Sequence, residues 1–519
     1  MATSSSQDGS PLDATFDAFV KQSLEEWHVP GMSIAVLDGE KTFAKGYGMA
    51  AFPDKPVTPE TLFYTASTTK AFTSAAVSLL IDEEVEARAT SAETVHPTEC
   101  LTWKSRMCNL IPDDFVLPDP YATIHTTIED ALSHRTGMPD HEKSFGPGTT
   151  SVKEMVRKLR NLPLSAELRA DFQYNNMMYT AVSHIIETRT GKVLGDYLRE
   201  RIWNPLEMRQ TYWTMKEALD AEEKGAVQLA RGYAWDSESG QFVSESLPDY
   251  IGVSGAGAII SNVLDYAKWL RCMMTRSAPL SPAGHASIVE PRMVAASAGS
   301  NTFPGTHLYA LGWYVDMYRG ETVIWHAGGW TGFGSVMAYL PNRQWGFAMV
   351  GNTSKTSNYV QVILYFFLLD ELLGILLAER TDWDAWWKGV INERRQNLAN
   401  SRQRLYPSVP AKSIAPSLAL EEYTGSYWHP AYGAMNIVLD GQALGANRLE
   451  QEIPMQFKFE HVSGEFWLAF LYVLNRDPLD AEAVRAEFYV SAPGKAIKLG
   501  IDFEPKMKGT KIWFLREGY

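Results

Sequence analysis

The sequence predicts an α+β fold, in which an antiparallel sheet is flanked by helices, followed by a small all-β barrel domain. Strand-like runs occur in residues 32–48 and return between His307 and Asn352, whereas the long stretch between them is mostly helical in pattern. Strands drawn from both ends of a helical middle suit an antiparallel sheet with helices on its faces rather than a βαβ repeat. From about Ser417 onward the chain has only short strand-like runs, which predict the second domain.

The composition is that of a folded protein with more than one domain. Of the 519 residues, 45% are hydrophobic and 12% are aromatic, enough for a large core. The 47 basic and 61 acidic residues give a net charge of −14. Nucleic acid and anionic membrane surfaces are therefore not expected as partners, because both need a basic face. The three cysteines fit neither a disulfide framework nor a zinc site.

The first elements follow from local patterns. Apolar side chains in residues 14–27 fall on one helical face behind Asp13, a residue type that caps helix N-termini. An Asp38-Gly39 turn between two strand-like runs predicts a hairpin, and residues 65–82 are expected to form a helix rich in Ala and Leu. Residues 83–100 lack periodicity and are expected to form a surface insertion.

Helical periodicity recurs in five segments before strand-like alternation replaces it. The helical segments are 128–133, 152–159, 177–188, 193–201 and 263–274. Short apolar runs separated by Gly and Asn-Arg turns, namely LYALGWYV, TVIWHA, GSVMAYL and WGFAMVG, predict neighbouring antiparallel strands. The apolar stretch 360–377 should pack on them as a buried helix. Asp370 and Glu371 interrupt it, so no membrane span is expected.

A shift in composition predicts the domain boundaries. Residues 392–404 are highly polar, and three prolines follow within residues 407–416. These features predict a first domain over 1–385, a linker over 386–416 and a small β-barrel domain over 417–519. The N-terminal residues lack the basic and apolar regions of a cleaved signal peptide, so a cytoplasmic location is expected. The oligomeric state is left open.

Ser67 and Lys70 form a Ser-x-x-Lys pair in the predicted helix. Residues three apart share one helix face, so the hydroxyl and the amine can touch. A buried lysine can be uncharged and can then act as the base that a nucleophilic serine needs. Backbone N–H groups at a helix start can stabilise an oxyanion. About two such pairs are expected by chance in a chain of this length, so an exposed Ser and Lys on a helix is the alternative.

Tyr174 and Asn176 lie in a Tyr-Asn-Asn sequence just before a predicted helix. From such a loop a phenol can shuttle protons, and a carboxamide can hold a substrate carbonyl. The structural alternative is an Asn helix cap beside a core tyrosine.

His326 ends the run TVIWHA and precedes Gly328, Gly329 and Trp330. Glycines after a strand let a ligand approach the backbone, and His326 would project toward the same cleft. A histidine with a purely structural role is the alternative.

The order of the three motifs resembles that of serine β-lactamases and penicillin-binding proteins. Ser-x-x-Lys comes first, Tyr-x-Asn about a hundred residues later, and His-x-Gly on a late strand. The chain is similar to the class C β-lactamase-related family, which includes esterases, D-aminopeptidases and acyltransferases. Further local matches lie at 27–39, 132–141, 255–270 and 328–335, and the resemblance covers about residues 12–380. The sequence after Glu421 resembles the small lipocalin-like barrel that often follows this fold.

The resemblance implies a role for each motif residue. Ser67 is the nucleophile that becomes acylated, Lys70 is its general base, and Tyr174 passes protons to the leaving group and later activates the incoming water or alcohol. The backbone N–H groups of Ser67 and Gly329 form the oxyanion hole. The substrate-binding residues implied by the resemblance are Asn176, His326, Gly328, Gly329 and Trp330.

His326 departs from the pattern of the antibiotic-cleaving β-lactamases, which have lysine at this position. Near neutral pH a histidine carries at most part of that charge. β-Lactam hydrolysis is therefore in doubt, and a neutral ester, lactone or amide is favoured. No two histidines are spaced i, i+4, so no metal is expected, and no cofactor is implied. His134, at a predicted helix end, is expected to bond the last carbonyls in a structural role.

Three hypotheses follow for the function. The leading one is a serine hydrolase that cleaves a small-molecule ester, lactone or amide through an acyl-Ser67 intermediate. An acyltransferase would pass the same acyl group to an alcohol or amine, and the sequence does not separate the two. A non-catalytic, penicillin-binding-like scaffold or sensor is the third, and the intact motif residues count against it.

Overall fold

The computed structural model describes residues 9–90, 100–295, 302–474 and 481–519. Within these ranges, nine strands form one antiparallel sheet and eight form a closed antiparallel barrel. Helices cover the sheet, which confirms the predicted α+β class with its C-terminal barrel.

Fifteen helices and twenty-one strands are numbered in chain order over the described residues. The helices are α1 (Ala14–Glu26), α2 (Thr69–Thr90), α3 (Met107–Leu110), α4 (Pro120–His125), α5 (Ile128–Leu132), α6 (Val152–Lys158), α7 (Asn176–Thr190), α8 (Leu194–Leu198), α9 (Met215–Glu223), α10 (Ser254–Gly257), α11 (Val263–Thr275), α12 (Pro282–Val289), α13 (Thr356–Leu373), α14 (Trp383–Ala399) and α15 (Ser401–Leu405). The strands before the barrel are β1 (Gly31–Asp38), β2 (Lys41–Ala51), β3 (Lys55–Pro56), β4 (Phe63–Tyr64), β5 (Tyr233–Asp236), β6 (Gln241–Ser244), β7 (Ile260–Ser261), β8 (Met293–Val294), β9 (Leu308–Tyr309), β10 (Tyr314–Tyr318), β11 (Glu321–Trp330), β12 (Phe333–Leu340) and β13 (Trp345–Gly351). The barrel strands are β14 (Gly425–His429), β15 (Gly433–Asp440), β16 (Ala443–Arg448), β17 (Met455–Ser463), β18 (Phe466–Val473), β19 (Glu482–Val490), β20 (Ala496–Ile501) and β21 (Ile512–Arg516).

The sheet runs in the order β3-β2-β1-β13-β12-β11-β10-β9-β8, so the first and last parts of the first domain meet at β1 and β13. Successive side chains of a strand point to opposite faces. In β1, Ile34 and Val36 join the core beneath α1 and α13, whereas Ala35 and Leu37 join the core on the α2 and α11 side. The sheet is therefore buried on both faces.

Several predicted elements are confirmed. Asp13 caps α1 by accepting the backbone N–H of Phe16 at 2.9 Å. The predicted hairpin is β1–β2, with Asp38 opposite Lys41. The apolar stretch forms α13, which ends at Gly374 in the left-handed conformation, with φ of 65°. Within the described ranges, no helix is long and apolar enough to span a bilayer.

The expected surface insertion is wrong for its first residues, because α2 continues to Thr90. Ion pairs hold this polar end of the helix: Glu83 pairs with Arg201 and Glu84 with Arg189, both at 2.6 Å. The apolar periodicity ends before the helix does. Residues 91–99 lie outside the described part of the chain.

The segment expected to be the linker, 386–416, begins inside a helix. Trp387 of α14 packs on Tyr359 of α13 with ring centroids 4.2 Å apart, and Trp383 packs on Phe366 at 4.3 Å. Residues 406–416 contain no helix or strand. The exact domain boundaries stay a prediction.

The barrel closes where β14 pairs with β21. Its interior is packed with buried aromatic side chains, among them Tyr427, Phe457, Phe459, Phe488 and Phe514. Alternate residues of each strand point inward, as in β17, where buried and exposed positions alternate from Met455 to Glu460.

Candidate active site

Ser67 lies on a single 3₁₀ turn, Ala66–Thr68, that leads into α2. Ala66 has φ of 50°, in the left-handed region that costs a non-glycine residue energy. Side-chain hydrogen bonds hold the turn: Thr65 Oγ1 donates to the Ile259 carbonyl at 2.8 Å, and Thr68 Oγ1 donates to the Thr65 carbonyl at 2.9 Å. The half-buried Ser67 is thereby held at the edge of a cleft.

Lys70 lies one turn further along and is fully buried. Its Nζ is 3.0 Å from Ser67 Oγ and donates to the Ala256 carbonyl at 2.8 Å. Burial holds the pKa of Lys70 well below its usual range, against the weaker opposing effect of Glu142. An uncharged amine at this distance has a lone pair that can accept the serine proton.

Tyr174 lies beside Ser67, and both side chains line the same cleft. The Lys70 Nζ lies 4.8 Å from the centroid of the tyrosine ring, so the three side chains form one cluster. Burial raises the pKa of Tyr174 well above its usual range. The phenol therefore retains its proton at neutral pH and is available as an acid.

His134 lies behind the tyrosine rather than capping a helix through its side chain. Its ring centroid is 4.3 Å from that of Tyr174, and its Nδ1 accepts the backbone N–H of Asn175 at 3.0 Å. The expectation that it bonds the last helix carbonyls is wrong, because φ of 57° at His134 turns the ring back toward the Tyr174 loop. Burial holds its pKa well below the usual range, so the ring is uncharged.

Asn176 is the first residue of α7, and its neighbour Asn175 is the N-cap. Asn176 Nδ2 donates to Glu142 Oε1 at 2.6 Å, while its buried Oδ1 has no partner among the described residues. Glu142 was not predicted as a site residue, because the segment around it carries no motif. Burial raises the pKa of Glu142.

His326 is 1% exposed, and both its ring nitrogens are engaged. Nδ1 donates to the Ala327 carbonyl at 2.6 Å, and Nε2 lies 3.1 Å from the Tyr309 hydroxyl. Burial lowers the pKa of His326 to about 3. The imidazole is therefore uncharged and cannot attract a carboxylate as a lysine would.

The glycines after His326 bring β11 directly against the Ser67 turn. A Cβ on Gly328 would lie 2.3 Å from the Thr65 carbonyl oxygen and 2.9 Å from Ser67 N, so no larger residue fits. A Cβ on Gly329 would meet Asn358 Oδ1 at 3.1 Å. Trp330 ends the strand with its ring 4.8 Å from that of Tyr250.

Two cavities meet at the reaction centre. Both are lined by Ser67, Tyr174, Gly329 and Asn358. The first, of about 330 Å³, is called the polar cavity here, and its further lining residues include Glu142, Asn176, Trp330 and, from the barrel domain, Ile453, Met455, Val473 and Glu482. The second, of about 440 Å³, is called the aromatic chamber, and its further lining residues include His307, Tyr314, Trp325, His326, Val362, Tyr365 and Trp387.

The barrel domain holds the segment that carries Glu142. The Tyr432 hydroxyl lies 2.7 Å from His141 Nδ1 and 3.1 Å from Glu504 Oε1. Lys143 pairs with Glu482 at 3.1 Å. The barrel thus forms part of the cleft wall and also fixes both neighbours of Glu142.

No group of three His, Cys, Asp or Glu side chains in the described ranges is arranged to hold a metal ion. Burial is the main cause of the pKa shifts of Lys70, Tyr174 and His326.

The motif residues thus lie together at one cleft. The family profile described as Beta-lactamase matches residues 16–366. The chain belongs to the beta-lactamase family. A second profile, a domain of unknown function named DUF3471, matches residues 409–516, which include the barrel strands of this beta-lactamase family member.

Relatives of the chain include a named hydrolase. The whole chain is 40% identical to the Unguisins hydrolase ungD' of Aspergillus campestris and covers 94% of that protein. Two solved structures share the fold. The octameric penicillin-binding protein homologue of Pyrococcus abyssi is 20% identical, with a TM-score of 0.59 over 96% of this chain and 99% of that one. The D-amino acid amidase of Ochrobactrum anthropi is 22% identical, with a TM-score of 0.56 over 69% and 99%. The chain is thus a serine hydrolase of the beta-lactamase family.

Proposed function

We propose that the protein hydrolyses an amide or ester through an acyl group carried on Ser67. The observation that carries the proposal is the 3.0 Å approach of Lys70 Nζ to Ser67 Oγ, with the amine buried and its pKa held well below the usual range. Desolvation of a lysine favours the uncharged amine, which is the form able to act as a base. The intact cluster and the relative named a hydrolase favour catalysis over a scaffold role.

The first half of the reaction transfers the acyl group to the serine. Lys70 accepts the Ser67 proton as the Oγ–carbon bond forms, and the bond between the carbonyl carbon and the leaving nitrogen or oxygen breaks. The Tyr174 phenol gives its proton to the leaving atom, and the protonated Lys70 returns a proton to Tyr174. The backbone N–H groups of Ser67 and Gly329 are proposed to hold the developing oxyanion.

The second half releases the acyl group to water. Lys70, uncharged again after acylation, takes a proton from the incoming water as the water oxygen bonds the carbonyl carbon. Tyr174 can relay this proton, accepting it from the water while it passes its own proton to Lys70. The Ser67 Oγ then leaves the carbonyl carbon and regains the proton from Lys70. Asn176, whose Oδ1 lacks a partner among the described residues, is proposed to orient the substrate by accepting a hydrogen bond. Trp330 and Gly328 are proposed to contact the substrate as further parts of the cleft wall.

The relative at 40% identity is named an unguisins hydrolase, and an amide is the first bond type to test because a fold neighbour is named an amidase. Unguisins are therefore the first substrates to test. The uncharged state of His326 gives no support for binding a β-lactam carboxylate.

Labelling with a fluorophosphonate probe, followed by intact-mass spectrometry, tests the nucleophile. We expect one adduct on the wild-type protein and on Ser33→Ala, a matched loss of a buried hydroxyl on β1, and none on Ser67→Ala. Equal labelling of wild type and Ser67→Ala would show that Ser67 is not the nucleophile.

Acyl transfer is the alternative fate of the same intermediate. The outcome depends on whether water or another nucleophile reaches the acyl-serine first, so product analysis with and without added alcohols and amines distinguishes the two. The cytoplasmic location stays a prediction, which cell fractionation tests.

A further inference from the structure

The aromatic chamber opens at Ser67, but the side chains that form the rest of its wall have no role in the steps proposed above. It begins at Ser67, Tyr174 and Gly329 and has a volume of about 440 Å³. We propose that the chamber is a subsite for an uncharged aromatic or large aliphatic group next to the scissile bond. This inference rests on the proposed function. The substrate class is thus an ester or amide whose apolar group enters the chamber and carries no carboxylate there.

Aromatic side chains form much of the chamber wall. Tyr314 stacks on Trp325 with ring centroids 4.9 Å apart and on His307 at 4.5 Å. Trp387 reaches the chamber from α14, and Tyr365 from α13. A bound aromatic ring loses roughly 150–250 Å² of surface to water and pairs well with such rings in edge-to-face or offset-stacked geometry.

Four polar groups in these walls are already partnered within the protein. Trp325 Nε1 donates to Asp316 Oδ2 at 2.8 Å, and His307 Nδ1 lies 2.8 Å from the same oxygen. Gln361 Nε2 donates to the Gly334 carbonyl at 2.9 Å, and the Tyr365 hydroxyl lies 3.2 Å from Thr302 Oγ1. A polar ligand group would therefore lose its water without gaining these partners.

The chamber lining within the described ranges includes no Lys, Arg, Asp or Glu, and the pKa of His326 is lowered to about 3. The buried Asp316 lies behind the lining, where it bonds Trp325 and His307. A carboxylate placed in the chamber would be desolvated with no Lys or Arg to pair with it, which is costly. The polar cavity on the other side of Ser67 carries Asn176 and Glu142 instead. The hydrogen-bonding part of the substrate is therefore expected on that side.

Two matched ester series test the subsite. In the leaving-group series, benzyl, methyl and 4-carboxybenzyl acetate share one acyl group, and benzyl alcohol and methanol are alcohols of similar acidity. In the acyl series, methyl 3-phenylpropanoate is compared with methyl propanoate. We expect the phenyl group to raise kcat/KM at least about tenfold in one of the two series, as good apolar pockets do. The series that responds identifies the side of the scissile bond that enters the chamber. If it is the leaving-group series, we expect the added carboxylate to remove the gain.

Val362→Phe should fill part of the chamber with a larger side chain. Val362 is suitable because it lines the chamber and has no role in the proposed chemistry. We expect it to abolish the phenyl preference while leaving the methyl substrates within about twofold. Val193→Phe, in the lining of a separate cavity of about 530 Å³, is the control and should change neither. Thermal melting verifies that both variants fold.

Binding to Ser67→Ala keeps the inference testable if no ester is turned over. N-Benzyl-3-phenylpropanamide, which carries a phenyl group on each side of the amide, should bind this variant, as measured by tryptophan fluorescence or NMR. The double variant Ser67→Ala/Val362→Phe should bind it at least about tenfold more weakly. A phenyl preference that survives Val362→Phe, or equal binding of this amide by the two proteins, would overturn the subsite. Failure of Ser67 labelling with intact binding would instead overturn the proposed function alone.

Discussion

At the scale of single residues, burial sets the protonation of the groups around Ser67. It lowers the pKa of Lys70, raises that of Tyr174 and lowers that of His326 to about 3. The same physical cause acts in opposite directions because the charged form of a base is its protonated form, whereas that of a phenol is its deprotonated form. The resting site therefore has an uncharged base beside a protonated acid, which is the pair that acylation needs.

Lys70→Arg should reduce the rate of Ser67 acylation by ~10²–10⁴-fold, because a guanidinium stays protonated and cannot accept the serine proton. In the wild type, the labelling rate should rise with pH through the pKa of Lys70, since only the uncharged amine is active. That rise should lie below the usual range for lysine. Lys104→Arg, at a partly exposed ion pair with Glu129, is the control. Unchanged labelling of Lys70→Arg would mean that Lys70 is not the base.

Tyr174→Phe should lower kcat by ~10²–10⁴-fold with a much smaller change in KM, because the phenol acts on the leaving group rather than in ground-state binding. Steady-state kinetics on one amide or ester measure the split. Tyr423→Phe removes a hydroxyl inside the barrel that bonds Glu465 and should leave both constants unchanged. A change confined to KM contradicts the proton-transfer role.

At the scale of elements, the close contact of β11 with the Ser67 turn builds the site. The Thr65 carbonyl accepts a hydrogen bond from Ser335 Oγ at 2.6 Å, and Gly328 pairs with Ser335 across β11 and β12. The turn that carries Ser67 is thus bonded to the sheet. This contact leaves no room for a side chain at Gly328.

Gly328→Ala should destabilise the protein by ~1–3 kcal/mol through overpacking and should reduce Ser67 labelling at least about tenfold by displacing the turn. Gly389→Ala in α14 is the matched control, because a Cβ there meets nothing within 4 Å. It should keep full activity and stabilise the helix by ~0.5–1 kcal/mol. Thermal melts and labelling rates report the two effects. Wild-type labelling by Gly328→Ala would show that the close contact does not position the nucleophile.

At the scale of the whole molecule, the barrel and the first domain share buried carboxyl groups at their contact. Glu452 donates its backbone N–H to the Gly146 carbonyl at 2.9 Å, and the residue is only 7% exposed. Burial raises its pKa to about 8, and burial with Asp140 raises that of Glu504 well above its usual range. The assembled molecule therefore binds protons that the unfolded chain would release.

Glu452→Gln should flatten the dependence of stability on pH. In the wild type, the pKa of Glu452 is raised on folding, so its contribution is complete below the usual value of 4.5 and is lost as the pH rises toward about 8. The resulting slope is at most ~1.4 kcal/mol per pH unit for one proton. Thermal melts between about pH 5 and pH 8 should show a smaller decline in stability for Glu452→Gln than for wild type and for the exposed control Glu421→Gln, because the glutamine has no proton to lose. If stability fell equally with pH in all three proteins, Glu452 would not bind a proton on folding.

Many helices and strands were predicted correctly from local sequence patterns. Asp13 marks the start of α1, Asp38-Gly39 marks the first hairpin, and alternating runs mark β11 to β13. Each of these patterns consists of residues close in sequence, so each can be recognised without knowing how the rest of the chain folds. The polar end of α2 and the whole of α14 were missed, because distant ion pairs and ring contacts hold them rather than apolar periodicity.

The sequence by itself determined which residues form the three motifs and in what order they occur, because each motif consists of residues that are close together in the chain. Only the tertiary structure decided what surrounds them. Glu142 meets Asn176 across 34 positions, His134 packs on Tyr174 across 40, and barrel residues such as Met455 line the cleft of the first domain. Contacts of this kind depend on how distant segments pack, and burial at that packing sets the charge of each group, so no local pattern encodes them.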